Sequence, residues 1–253
     1  MKIFLVLNTK NKEKKARCLQ TVESLSPYHE LSLSITQAFE MDKPSLINFD
    51  IEEADLIMSV GGDGTLLKAA HLAYPLHKPI LGVNAGHVGA LCAMKYFELS
   101  PLDPIKGCHL EERYGVEFSA KNLSGFALNE IVVCGISRSK CIELEVEVAK
   151  KKLILKGDGF LFASPTGSGA YNKSLGGPVL DKEETVSVFL PLAPIDDDYR
   201  KPFMVKENET VLAKVSRESE SSPLAIYDGQ ELGIFKGDLK IKRSKHPLLL
   251  YLK

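Results

Sequence analysis

The run ADLIMSV (residues 54–60) is almost continuously apolar and is followed at once by the glycine-rich segment GGDGT. A strand without polar alternation is typical of a sheet that is covered on both faces. Residues 65–74 have helical composition and stop before Pro75, and PILGV (79–83) is another buried strand. Short buried strands that alternate with helices predict a parallel α/β sheet, in which ligands bind beyond the carboxyl ends of the strands.

The pattern changes after about residue 100, where alternation of period two begins to dominate. CIELEVEV (141–148) shows it most clearly and predicts a strand with one buried and one solvated face. We therefore expect an N-terminal Rossmann-like parallel α/β domain followed by an antiparallel β-sandwich-like domain. The expected boundaries are 1–100, 101–236 and an apolar C-terminal segment, 237–253, that packs back on the N-terminal domain.

Two predicted strands and one predicted helix of the β-rich half contain candidate site residues. ALNEIVVCG (127–135) and LAIYDGQ (224–230) are two of its predicted strands. Residues 167–175, between glycine-rich flanks, are its one predicted helix.

Composition excludes several classes of protein. The 253 residues carry a net charge of −1, which gives no support for broad nucleic-acid or membrane binding. No stretch approaches the ~20 apolar residues of a membrane span, and the apolar run at the N-terminus is too short for a signal peptide. The five cysteines show no Cys-x-x-Cys pair, which predicts reduced thiols in a cytoplasmic protein. The six histidines show no metal-ligand spacing.

The GGDGT turn (61–65) is the main candidate for chemistry. It exposes backbone N–H groups at a helix N-terminus, where they attract an anion such as phosphate. Asp63 would then be a carboxylate beside phosphates, either as a metal ligand or as acceptor of a proton from an attacking hydroxyl. A tight turn with Asp63 as a helix cap is the simpler alternative, and Lys68 could equally be a solvated lysine. The phosphate-binding candidates are Gly61, Gly62, Gly64, Thr65 and Lys68.

The motif resembles that of a superfamily of kinases. GGDGT is shared by NAD kinases, by diacylglycerol and sphingosine kinases and, more distantly, by phosphofructokinases, so it does not name the acceptor. ALNEIVV (127–133) and KGDGFLFASPTGSGAYNKSLGGPVL (156–180) closely resemble NAD kinase signatures. NAGHVGAL (84–91) and YDGQ (227–230) resemble weaker blocks of that family. By resemblance over about residues 3–230, the chain is identified as a member of the NAD kinase family.

That resemblance implies a reaction. NAD kinases transfer the γ-phosphoryl group of ATP, or of inorganic polyphosphate in some members, to the 2′-hydroxyl of the adenosine ribose of NAD. It implies that Asp63, with Gly64 beside it, orients and deprotonates this hydroxyl. A divalent metal, expected to be Mg²⁺, would bridge the ATP phosphates with little help from protein side chains. Family members are usually dimers or tetramers, so a homo-oligomer is expected.

The same resemblance supplies candidates for NAD binding. Asn129 and Glu130 match the pair that holds the adenosine. Asp158 matches a residue on the nicotinamide side, which a neighbouring subunit could supply. Lys156 stands where many relatives have arginine and Gly169 where they usually have threonine, so these two contacts depart from the family pattern. The remaining candidates are Ala170, Tyr171, Asn172, Lys173, Ser174, Ala193 and Gln230.

Two other functions compete with this one. A lipid kinase of the same superfamily would need an apolar groove for an acyl chain, and the β-rich half shows no such apolar excess. A non-catalytic dinucleotide-binding protein would keep the pocket, although it would have no need of Asp63. A metal site at Asp196–Asp198 is disfavoured, because three consecutive carboxylates cannot all face one ion in an extended loop.

Overall fold

The apolar runs of the first hundred residues form the strands of one sheet in the computed structural model, which describes residues 1–86, 89–137 and 139–253. The strands are β1 (Lys2–Leu7), β2 (Glu30–Leu33), β3 (Leu56–Gly61), β4 (Ile80–Asn84), β5 (Met94–Lys95), β6 (His109–Arg113) and β19 (Leu248–Leu252). The helices are α1 (Lys12–Leu25), α2 (Ile35–Glu40) and α3 (Asp63–Ala73). The strand order is β2-β1-β3-β4-β19-β6, and β5 pairs with β4.

This first sheet is parallel at the pairings β1–β2, β1–β3, β3–β4, β4–β5 and β4–β19. Every residue of β3 and of β4 is buried, as their continuous apolar sequence predicts. Helix α1 begins after Asn11, whose side chain caps the N-terminus by accepting a hydrogen bond from the Lys14 amide.

The remaining strands form two six-stranded sheets. They are β7 (Val116–Ala120), β8 (Leu123–Ala127), β9 (Glu130–Gly135), β10 (Ile142–Val148), β11 (Lys151–Gly157), β12 (Gly159–Ala163), β13 (Val186–Leu192), β14 (Phe203–Lys206), β15 (Val211–Val215), β16 (Pro223–Tyr227), β17 (Gln230–Ile234) and β18 (Leu239–Arg243). One sheet has the order β11-β10-β15-β18-β7-β8 and the other β14-β13-β12-β9-β16-β17.

Both of these sheets contribute to one hydrophobic core. Leu144 of β10 and Ile241 of β18 come from the first sheet, while Phe160 of β12 and Phe189 of β13 come from the second. The predicted fold class, a parallel α/β part followed by an antiparallel sandwich-like part, is confirmed. No helix among the described residues has the length and apolar character needed to span a membrane.

The chain divides into two compact units, Met1–Glu112 with Leu248–Lys253, and Arg113–Pro247. β18 therefore belongs to the second unit, whereas β19 completes the sheet of the first. The domain boundaries expected at 1–100, 101–236 and 237–253 stay a prediction.

Three local predictions differ from the structure. The predicted strand 224–230 is a hairpin, since Asp228 and Gly229 form a two-residue turn between β16 and β17. The predicted strand 127–135 begins only at Glu130. The predicted helix 167–175 is two single turns, α4 (Pro165–Ser168) and α5 (Tyr171–Ser174). The second difference accompanies hydrogen bonds from residues 128 and 129 to a distant residue, described below.

Candidate active site

The carboxyl ends of three neighbouring strands meet in the first unit. The amide of Asn8, after β1, donates to the Val60 carbonyl (3.0 Å), and the amide of Ala85, after β4, donates to the Gly61 carbonyl (2.7 Å). Helix α3 begins at the same edge with Asp63 as its first residue. This is where parallel α/β sheets bind ligands, and the amides of the first helical turn point out of the helix end.

Asp63 is held by the segment that follows β4. Its Oδ2 accepts a hydrogen bond from the Ala90 amide and its Oδ1 accepts one from the Leu91 amide, both at 3.0 Å. The N-cap residue of α3 is Gly62, and no side chain caps the helix. Asp63 is therefore not a helix cap. Of the block NAGHVGAL that resembles a family motif, His87 and Val88 lie outside the described residues.

Two glycines of the GGDGT turn differ in what surrounds them. A Cβ on Gly61 would lie 2.2 Å from Oγ1 of Thr65, a residue that is itself buried, so the fold requires glycine there. A Cβ on Gly64 would meet nothing within 4 Å. Packing within the protein therefore does not explain why position 64 is glycine.

The second unit contains a cavity of about 740 Å³. It is lined by Glu130, Val132, Cys134, Gly135, Ser137, Lys140, Asp158, Tyr171, Leu175, Leu190, Pro191, Leu192, Ala193, Ile226 and Gly229. Apolar side chains from three strands of one sheet, β9, β13 and β16, form much of this lining, and a few polar groups stand among them. That composition is typical of a small-molecule site.

Glu130 is the most unusual polar group of this cavity. The residue is only 6% exposed, and its Oε2 has no hydrogen-bond partner among the described residues. Burial, with the negative charge of Asp228 as the second cause, raises the pKa of Glu130 to about 8. A buried carboxyl oxygen without a partner is rare in folded proteins, which makes Glu130 a candidate binding residue.

The structure brings together some of the residues predicted to bind NAD. Glu130, Asp158, Tyr171 and Ala193 all line the cavity. Asp158 is exposed at the turn between β11 and β12, and Tyr171 is 49% exposed. The described lining does not include the other candidates of this unit, namely Asn129, Lys156, Gly169, Ala170, Asn172, Lys173, Ser174 and Gln230.

Asn172 and Lys156 have partners within the protein. Asn172 is fully buried, and its Nδ2 donates to the carbonyls of Ser168 (2.9 Å) and Pro178 (2.8 Å), so it holds the segment around α5. The Nζ of Lys156 lies 3.9 Å from Oε2 of Glu143 on the neighbouring strand. Both side chains have a structural contact that the sequence resemblance did not indicate.

Several cavity residues were missed by sequence reasoning. Glu130, Val132 and Cys134 alternate along β9 and line the same side, so the period of two would have identified the latter two once Glu130 was chosen. Leu190 on β13 and Ile226 on β16 come to the same cavity only through the folding of the sheet. No local signal in the sequence identifies such residues.

Comparison with known proteins shows the family. The ATP-NAD kinase N-terminal domain matches residues 3–100, and the ATP-NAD kinase C-terminal domain matches residues 128–251. NAD kinase of Coxiella burnetii (strain RSA 493 / Nine Mile phase I) is 33% identical over 209 residues, which cover 79% of this chain and 70% of the relative. NAD kinase of Moorella thermoacetica is 34% identical over 210 residues, covering 79% and 67%.

Two solved structures resemble the chain. Yeast NADH kinase complexed with NADH superposes with a TM-score of 0.79 at 17% identity, covering 100% of this chain and 83% of that one, and shows a shared fold. An NAD kinase from Archaeoglobus fulgidus in complex with ATP gives a TM-score of 0.72 at 25% identity, covering 99% and 93%. With both domain families matched in order along the sequence, the chain belongs to the ATP-NAD kinase family.

Proposed function

We propose that the chain transfers the γ-phosphoryl group of ATP to the 2′-hydroxyl of the adenosine ribose of NAD, making NADP. The observation that carries the proposal is the Asp63 carboxylate, which is fixed at the carboxyl end of a parallel sheet by two backbone amides instead of capping its helix. A kinase that phosphorylates an alcohol needs such an oriented carboxylate to receive the hydroxyl proton.

Asp63 combines orientation with spare acceptor capacity. Each of its oxygens accepts one amide hydrogen bond, and a carboxylate oxygen has two lone pairs, so each keeps a site for a substrate hydroxyl. We propose that Asp63 accepts the hydrogen bond of the 2′-hydroxyl, aligns its oxygen with the phosphorus and takes its proton. Since phosphoryl transfer has a loose transition state, alignment supplies most of the benefit.

The ATP phosphates are assigned to the GGDGT turn. The amides at the start of α3 and the open space above Gly64 suit an anion, and Lys68 lies exposed on the same helix. Across residues 1–86, 89–137 and 139–253, no group of three or more His, Cys, Asp or Glu side chains is placed to hold a metal ion. We therefore propose that Mg²⁺ enters on the ATP phosphates, where it neutralises negative charge.

The dinucleotide is assigned to the cavity of the second unit. Glu130 has an oxygen free for a ribose hydroxyl, Tyr171 offers a half-exposed ring for stacking, and Ala193 is small enough for close approach. Because Asp158 is exposed, we propose that it can also serve a neighbouring subunit of a homodimer or homotetramer. All five cysteines are free, which supports the proposed cytoplasmic location.

One assay separates this function from its rivals. Purified protein with Mg²⁺ is given ATP or inorganic polyphosphate as donor, and NAD or diacylglycerol as acceptor, and both NADP and phospholipid are measured. We expect NADP alone. Phospholipid formation would establish a lipid kinase, and binding of NAD without turnover would establish a non-catalytic binding protein.

Gly64→Ala tests whether a ligand approaches the turn. Because the added Cβ meets nothing within the protein and alanine suits a helix better than glycine, the melting temperature should not fall. A methyl group in the path of the substrates should lower kcat/KM by on the order of 10²-fold. Both quantities are read by thermal unfolding and steady-state kinetics on the same preparation.

Gly61→Ala is the matched control. Its Cβ would lie 2.2 Å from Thr65 Oγ1 and 3.0 Å from the Asn8 Cβ, so overpacking should cost about 1–3 kcal/mol of stability. Unchanged kinetics in the stable Gly64→Ala variant would show that nothing approaches this backbone during turnover.

A further inference from the structure

The segment Leu128–Glu130, which precedes and begins β9, is held by two residues from elsewhere in the chain. The Leu128 amide donates to Oδ2 of Asp228 (2.7 Å), and the amides of Asn129 (2.7 Å) and Glu130 (3.2 Å) donate to its Oδ1. Asp228 is 8% exposed and lies about a hundred residues away in the sequence. One carboxylate therefore binds three consecutive amides.

The carbonyl groups of the same segment are also fully used. The Ser164 hydroxyl donates to the Leu128 carbonyl (2.6 Å), the Ser164 amide to the Asn129 carbonyl (2.8 Å), and the Asp228 amide to the Glu130 carbonyl (3.0 Å). All six backbone polar groups of the segment are thus satisfied by Asp228 and Ser164. This complete set of bonds fixes the direction in which the Asn129 and Glu130 side chains leave the backbone.

We propose that Asp228 is a positioning residue for dinucleotide binding: its carboxylate fixes the Leu128–Glu130 segment so that the Glu130 carboxyl faces the cavity with an oxygen free for a ribose hydroxyl. Ser164 completes the same arrangement from the other side. The inference rests on the proposed function, because it names how the site assigned to NAD is held in shape.

A simpler role for Asp228 is that of a turn residue. Asp228 (φ +46°) and Gly229 (φ +72°) both have left-handed backbone conformations and form the two-residue hairpin between β16 and β17. Asp-Gly is a favoured sequence for such a turn, and Asn-Gly is favoured as well. Asp228→Asn therefore preserves the turn and removes only the carboxylate, which separates the two roles.

The substitution leaves one acceptor oxygen where two now serve three amides. Whichever way the Asn side chain is turned, its NH₂ group must face at least one amide N–H, which is then buried without a partner. We expect the segment to loosen, so that hydrogen–deuterium exchange of the peptide covering residues 128–130 becomes faster. We expect the dissociation constant and the KM for NAD to rise about tenfold, while kcat changes far less.

Proton release gives a second readout, because it reports whether NAD binding involves ionisation of the Glu130 carboxyl. Since Asp228 contributes to raising the pKa of Glu130 to about 8, Glu130 is mostly protonated at pH 7 in the free protein. The other titratable groups that line the cavity are Cys134, Lys140, Asp158 and Tyr171. If a ribose hydroxyl donates to ionised Glu130, NAD binding at pH 7 releases up to about one proton, and affinity increases as the pH rises towards the Glu130 pKa.

The experiment is calorimetric titration of NAD into the protein without ATP, at pH 7, in two buffers of different ionisation enthalpy. Asp228→Asn lowers the Glu130 pKa, so it should release fewer protons than the wild-type protein and should bind NAD about tenfold more weakly. Ser164→Ala should also weaken binding, but it keeps the Asp228 charge and should keep the wild-type proton release. Asp238→Asn, at an exposed position of the same unit, should change neither quantity.

The outcomes distinguish the inference from the function on which it rests. If the wild-type protein takes up no NAD, the proposed function fails. If the wild-type protein binds NAD and Asp228→Asn binds it equally well, with unchanged hydrogen–deuterium exchange at residues 128–130, the function stands and the positioning role is wrong. Should Asp228→Asn not fold, Ser164→Ala decides the matter, because unaltered NAD binding by that variant would contradict the proposed arrangement.

Discussion

Asp63→Asn is expected to lower the turnover number for NADP formation by roughly 10²–10⁴-fold, the range for a positioned acid or base, while the fold stays intact. The amide that replaces the carboxylate cannot take up a proton at neutral pH. It also keeps only one acceptor oxygen for the amides of Ala90 and Leu91, so the side chain loses part of its fixed orientation. Initial rates of NADP formation at saturating ATP and NAD measure the effect.

A matched variant tests whether removing any carboxylate from the first unit lowers turnover. Glu52→Gln removes an exposed carboxylate there and should leave turnover unchanged. Circular dichroism and calorimetric titration with ATP should show that Asp63→Asn is folded and still binds the donor. Near-wild-type NADP formation by folded Asp63→Asn would remove this residue from the mechanism.

Phe160→Ala is expected to lower the free energy of unfolding by about 3–5 kcal/mol. Phe160 lies on the central strand β12, is fully buried and stacks on Phe189 with ring centroids 4.7 Å apart and planes inclined by 28°. Truncation loses the free energy gained by burying the ring, and it leaves a cavity that the neighbouring strands cannot fill. Urea unfolding, followed by near-ultraviolet circular dichroism, measures the loss.

The control uses the same change where the ring is exposed. Phe39 of α2 is 65% exposed, so Phe39→Ala should alter stability by no more than about 0.5 kcal/mol. An equal loss in both variants would mean that the cost comes from removing an aromatic ring as such and not from the packing of β12 between β9 and β13.

The fold class was predictable because the burial of a strand determines which of its positions are apolar. Strands β3 and β4, covered on both faces, are continuously apolar, while β10 alternates between buried and more exposed residues. Strand β2 and helix α2 were not predicted, because four and six residues are too short to establish a period. Continuous apolar runs and clear alternation therefore predicted β3, β4 and β10, whereas β2 and α2 carry neither pattern over enough residues.

The residues of the candidate site were predictable only where they form a contiguous sequence motif. The GGDGT turn and the Asn129-Glu130 pair are contiguous motifs, and their residues could be selected from the sequence. The partners of Asp63 at Ala90 and Leu91, and the three amides bound by Asp228, are joined by hydrogen bonds between distant parts of the chain. For the same reason the start of β9 was misplaced, since the amides of Leu128 and Asn129 bind Asp228 and these two residues precede the strand.

The position of β19 has a consequence for how the protein is made. Leu250 and Tyr251 pair with Ile80 and Leu81 of β4, yet the whole second unit is translated between these two strands. During synthesis on the ribosome, this part of β4 therefore has no partner strand at this edge until the whole second unit has been made. An unpaired strand edge invites contact with other chains, so biosynthesis should be most vulnerable in the interval before residues 248–252 emerge.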